Sequence, residues 1–187
     1  MTTAVHSLKQ QIVNRRLGLW LFILSESMIF FALLATRFYM QGTHRPAEVN
    51  QSLGLIITCV LLLSSFTANR AEVAIAHDDR ASFSRLLLIT IILGLGFLAG
   101  VVLIEWPEAL HFAPLSTGYG TVFFALTGMH AFHVLTGVII LALVWWNGSR
   151  GRYSAQDHWG AEGGIVYWHF VDVIWVLVYP TLYLIGS

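Results

Sequence analysis

Five stretches of this chain, roughly 17–40, 53–73, 86–106, 118–146 and 163–186, are each apolar over the length of a membrane crossing. A hydrocarbon core about 30 Å thick takes about 20 residues of helix at about 1.5 Å per residue. Because backbone groups in hydrocarbon must find their partners within the segment, each stretch is expected to be helical, with the connections at the interfaces. The expected fold is all-α: a bundle of five transmembrane helices forming a single membrane domain over 1–187. Charged residues make up 11% of the chain, against about 25% in an ordinary globular domain, so a soluble fold would leave much of the apolar surface uncovered.

Charge and cysteine content narrow the partners. Ten basic and ten acidic residues cancel, which leaves no basic surface for nucleic acid and points to lipid and protein instead. A lone Cys59 excludes an intrachain disulfide and any multi-cysteine metal site supplied by this chain alone; within its apolar run it reads as a packing residue. Lys9, Arg15 and Arg16 precede the first stretch with no small-residue cleavage pattern after it, as in a retained helix. Those three, with Arg70, Arg80, Arg85, Arg150 and Arg152, fall on the side of the N-terminus, against Arg37 and Arg45 opposite. Eight against two predicts a cytoplasmic N-terminus and an outside C-terminus.

Polar residues inside the spans carry what chemistry there is. Glu26 lies well inside the first span, where an acidic side chain near a helix centre costs roughly 2.5–3.5 kcal/mol. It is therefore expected to face the bundle or water and to be protonated or paired. On the second span Arg70 can reach lipid headgroups with its long side chain. The third span holds Gly94, Gly96 and Gly100, the last two in the GxxxG spacing that permits close helix approach. It ends in IEWPEA, where Pro107 marks an exit, Trp106 suits the interface and Glu105 is expected to be solvated at the outer end.

The fourth span sets His130 and His133 on one face, with Thr127, Thr136 and Gly137 near the same stripe, and the fifth repeats the arrangement with His169 and Asp172. Trp146 and Trp168 are placed in an inner interfacial belt. Three imidazoles and a carboxylate could serve a metal or a haem, or a quinone-reactive site. Spans one to three, however, contain no histidine, and the paired-carboxylate EXXH motif of di-iron bundles is missing. His130, His133, His169 and Asp172 are therefore read as an interhelical polar cluster clasping spans four and five, with no metal ligand and no catalytic residue in the chain. GxSxG, HExxH and a glycine-rich phosphate loop are likewise missing, which removes hydrolytic and nucleotide-dependent chemistry.

Four segments together carry a family resemblance: SESMIFFALLATRFYM around Glu26, IEWPEA at 104–109, GYGTVFFALTGMHAFHV at 118–134 and AEGGIVYWHFVDVIWVLVYPTLYLIGS at 161–187. In order and spacing they resemble subunit III of the haem–copper terminal oxidases, the cytochrome c and quinol oxidases, in its short five-helix bacterial form. The resemblance implies an accessory subunit with no haem or copper of its own, those cofactors being held by partner subunits. It also implies packing against catalytic subunit I and other oxidase subunits, bound phospholipids, and support of proton uptake and oxygen access in a bacterial inner membrane. Glu26 matches the family's intramembrane glutamate and Glu105 its acidic residue after the third of these helices, while His130, His133, His169 and Asp172 match signature polar positions. A homologous accessory subunit associated with nitric oxide reductase shares this length and helix count.

Overall fold

The computed structural model describes residues 2–186, and of 2–9 and 11 the backbone alone. The side chain of Lys9, counted above among the inner cations, thus lies outside the described residues. Every regular element among the described residues is helical: α1 Thr2–Gln41, α2 Gln51–Ala76, α3 Arg80–Ala99, α4 Trp106–Phe112, α5 Gly118–Ser149 and α6 Trp159–Tyr179. Two π-helical segments, Gly100–Glu105 and Pro180–Leu184, continue α3 into α4 and extend α6. The chain thereby makes five helices long and apolar enough to cross a membrane: Ile12–Gln41, Gln51–Ala76, Arg80–Phe112, Gly118–Ser149 and Trp159–Leu184.

These helices outrun the apolar stretches because backbone pairing does not stop where side chains turn polar. Three starts are fixed by side-chain caps, which satisfy amides that have no partner inside a helix. Asn50 accepts from Leu53 N–H, Asp79 from Ser82 N–H and Thr117 from Gly120 N–H. The third crossing corrects the expected exit at Pro107. Trp106 N–H bonds the carbonyl of Val101 five residues back, so the wide π turn closes immediately before the proline, which has no N–H to give. The helix then runs on to Phe112.

Packing is centred on α6, which touches α1, α2 and α5, while α2 and α3 form an antiparallel pair and α1 leans on the outside against α5 and α6. Two tryptophans of α6 are fully buried and tie it to α2. Trp168 donates from Nε1 to Ser64 Oγ at 3.1 Å, and Trp175 to Thr58 Oγ1 at 2.9 Å. The Trp168 ring fits because Gly94 on α3 and Gly137 on α5 both lack a side chain against it; a Cβ would come within 2.5 and 2.8 Å of the indole. Trp168 is therefore a core wedge and not a member of the interfacial belt. The GxxxG expectation is corrected as well. Gly96 has nothing within 4 Å of a notional Cβ, whereas Gly94 meets Trp168 and Gly100 meets Ile57. Cys59 likewise lies exposed on the outer surface of α2, not in the packed interior.

Candidate functional site

Glu26 of α1 and His133 of α5 meet across the bundle, with Oε2 3.1 Å from Nε2. The other ring nitrogen, Nδ1, is 2.8 Å from the carbonyl oxygen of Met129. A carbonyl can only accept, so Nδ1 must carry a hydrogen. The Glu26 contact then holds one proton, which resides either on the carboxyl, facing a neutral imidazole, or on Nε2, facing a carboxylate. His133 is buried and Glu26 partly exposed, with side-chain exposures of 5% and 21%. The Phe30 ring lies edge-on to the imidazole, 4.9 Å between centroids. Tyr167 completes the surroundings: its hydroxyl lies 2.8 Å from Thr136 Oγ1, one turn along α5.

The helical spacing of His130 and His133 does not make them partners. His130 is fully buried, and neither of its ring nitrogens has a hydrogen-bond partner. Its ring is walled by Trp175 at 4.7 Å and Phe97 at 5.5 Å between centroids. His169 turns to α2, where its Nδ1 is 2.7 Å from Ser65 Oγ. Asp172, buried at 3% exposure, has Oδ2 3.9 Å from the same nitrogen and no hydrogen-bond partner on either oxygen. The expected single clasp between spans four and five is thus divided. His133 joins α5 to α1, His169 joins α6 to α2, and His130 stands apart among aromatics. No group of three or more His, Cys, Asp or Glu side chains among the described residues is arranged to hold a metal ion.

A groove of about 440 Å³ runs between α1 and α6, walled by Trp20, Ile23, Phe31, Phe170 and other apolar side chains, with Ser27 and His169 as its polar residues. Its shape and lining suit a hydrocarbon chain. Arg70 is exposed, and Trp146 is exposed with the Arg150 guanidinium 4.3 Å above its ring. Trp106 is half-buried, and its indole N–H goes to Thr127 Oγ1 at 3.1 Å, inside the protein.

The end of the bundle remote from the N-terminus holds residues whose burial sequence spacing did not signal. Arg37 is fully buried there; Nη1 and Nη2 donate to the carbonyls of Gly42 and His44 at 3.0 and 2.8 Å, and the guanidinium lies 5.3 Å over the Tyr119 ring. Arg37 therefore pins the turn that follows α1 from within. Glu105 corrects the expectation of a solvated acid. It is 5% exposed, and Tyr183 donates its hydroxyl to Oε1. Leu87, five full helical turns earlier on the same crossing, is fully buried too, so the packed face of the third crossing runs on through Glu105. At the opposite end, Arg16 pairs with Glu162 at 2.9 Å on an exposed surface, where such a bridge contributes at most about 1 kcal/mol.

The sequence matches the cytochrome c oxidase subunit III family over residues 3–187. A cytochrome c oxidase subunit 3 of Thermostichus vulcanus is 35% identical over 184 residues, covering 91% of this chain and 87% of the relative. That of Bacillus subtilis is 35% identical over 187 residues, covering 92% and 87%. In Synechocystis the figures are 34% over 181 residues, covering 91% and 76%. With five helices able to cross a membrane and a match over nearly its whole length, the chain belongs to the cytochrome c oxidase subunit III family.

Proposed function

We propose that this multi-pass membrane protein is a noncatalytic subunit III that packs against catalytic subunit I of an aerobic respiratory oxidase, in a bacterial inner membrane. Haem and copper reside in the partner subunits, and oxygen reduction belongs to the complex. The chain acts as one domain that steadies the catalytic subunit, holds phospholipid in the apolar groove between α1 and α6, borders a path for oxygen through that lipid, and sustains proton uptake. The observation that carries the last role is the Glu26–His133 contact, which holds one proton inside the membrane-spanning part of the bundle. A group that can pass a proton between two partners is suited to buffer one beside a proton entry. His130, His169 and Asp172 are assigned to helix packing, and Arg70, Trp106 and Trp146 to the membrane boundary.

Proton uptake and sustained turnover of the purified complex test the proposal. Glu26→Gln is expected to keep the subunit in the complex, because the amide N–H can still donate to Nε2, while lowering the proton-uptake rate or shortening the period of turnover. Wild-type uptake and endurance in that variant would remove the proton role and leave Glu26 a packing residue. Mass spectrometry of the co-purifying subunits tests the assignment to an oxygen-reducing complex; a nitric oxide reductase catalytic subunit in its place would contradict it.

A further inference from the structure

The groove between α1 and α6 is apolar except at His169 and Ser27, and the depth of these two residues constrains what can occupy it. Arg16 and Glu162, paired on an exposed surface, mark its rim nearest the N-terminus and set the two helices in register. His169 lies seven residues beyond Glu162, about 10 Å deeper, and Ser27 eleven beyond Arg16, about 16 Å deeper. One leaflet's share of a hydrocarbon core is about 15 Å. The phosphate and ester oxygens of a phospholipid stay at the polar boundary, so an acyl chain in this groove leaves both polar points unmatched.

Both points are open to a partner. His169 Nδ1 is 2.7 Å from Ser65 Oγ, the side chain is 36% exposed, and Nε2 has no hydrogen-bond partner among the described residues. When Ser65 accepts from Nδ1–H, Nε2 is bare and accepts from the groove. Ser27 gives its own hydroxyl hydrogen to the Ile23 carbonyl at 2.7 Å and keeps an oxygen that accepts. The groove therefore offers two acceptors on opposite walls, four residues or about 6 Å apart along the helices. That span fits a six-membered ring with hydroxyls at opposite corners. Trp20 and Phe170 supply flat apolar faces beside it.

We propose that the α1–α6 groove binds an isoprenoid quinol, with one ring hydroxyl donating to His169 Nε2, the other to Ser27 Oγ, and the tail lying along the apolar wall. A quinol ring, unlike a phospholipid headgroup, resides within the hydrocarbon, at the depth where these two acceptors stand. The oxidised quinone has no hydroxyl to give to Ser27 and is held less well. This inference rests on the reading of the groove as a lipid site and adds a ligand that exchanges with the acyl chain.

Photolabelling of the purified oxidase complex with a tritiated arylazido quinol bearing an isoprenoid tail, under argon, tests the site. Label is expected on this subunit, in peptides from α1 or α6, and unlabelled quinol should displace it better than unlabelled quinone. Ser27→Ala and His169→Leu should each lower that labelling by roughly three- to tenfold, the effect of about one hydrogen bond, while bound phospholipid per subunit stays at the wild-type count. Val173→Trp fills the groove from an exposed wall position and should lower both label and phospholipid. Retention of the subunit is measured on the same samples. Wild-type labelling in both Ser27→Ala and Val173→Trp would overturn the proposal, and would leave the lipid reading standing if Val173→Trp still loses phospholipid. Phospholipid unchanged in Val173→Trp while label falls would overturn the lipid reading alone.

Discussion

Arg37 shows how one residue can matter far from any chemistry. Its guanidinium is sealed from solvent and donates to the carbonyls of Gly42 and His44 in the turn that follows α1. Hydrogen bonds to a charged group contribute roughly 1.5–3 kcal/mol each, so Arg37→Ala is expected to destabilise the subunit by about 3 kcal/mol or more. Arg37→Lys, with a point charge in place of a fork, should recover part of that. Denaturant-driven release of the subunit from the purified complex measures both, and equal retention of Arg37→Ala and wild type would contradict the role. His133 makes a different prediction. Since its Nδ1 hydrogen is committed to Met129, His133→Gln preserves bulk and some hydrogen bonding but cannot take up a proton. It should reproduce the turnover defect of Glu26→Gln while the double variant adds little further loss. Additive defects would mean that the two residues act separately. Glu26 was legible in the sequence as a costly intramembrane acid, because charge is written in residue identity. Its partner was not, since spacing on α5 pointed equally to His130 and His133, and only the lean of α1 against α5 selects one.

At the scale of the element, small residues acquire meaning from what faces them. Gly94 and Gly96 lie two apart on α3, yet one receives the Trp168 ring and the other meets nothing. Overpacking a filled interior costs roughly 1–3 kcal/mol, so Gly94→Ala should loosen the α3–α6 contact by about that amount. Gly96→Ala should leave the subunit's retention unchanged or slightly improved, because alanine is the better helix former. Similar losses at both positions would place the wedge elsewhere. The start of α3 carries a pH dependence. The Ser82 hydroxyl and backbone amide hold the Asp79 carboxyl below the usual carboxylate range. A depressed value means that the cap's contribution is present above the ordinary range and fades as pH falls through the lowered one. Protection factors at 81–83, the intrinsic exchange rate at each pH divided by the observed rate, should therefore fall on the acid side in the wild type, and Asp79→Asn, a cap without a titrating group, should abolish that fall. The π segments were the least legible elements. A one-residue change of helical register leaves hydropathy unaltered, and the burial of Glu105 rests on its cover by Tyr183 from the far end of α6, which its place at a span's end does not show.

For the whole molecule, apolar length was enough to read the number and order of the crossings, because the bilayer sets their minimum extent and the backbone must pair within each. The arrangement of those crossings was not readable in the same way. Nothing in the run of apolar residues says that α6 lies at the centre or that α1 leans on the outside. Those placements follow from two buried indoles and the glycines that admit them. Five crossings predict chain ends on opposite sides of a bilayer, and the uneven distribution of lysine and arginine predicts that the N-terminal side is the cytoplasmic one. A topology measurement can decide this. In a Cys59→Ala background, a cysteine at Asp157, in the α5–α6 connection, should be shielded from a membrane-impermeant thiol reagent in intact cells and react after permeabilisation. A cysteine at Glu48, in the α1–α2 connection, should react in intact cells. Reversal of the two results would turn the bundle over and place Glu105 and Glu108 towards the cytoplasmic side. Labelling of both positions in intact cells would contradict the separation of those connections by a membrane crossing.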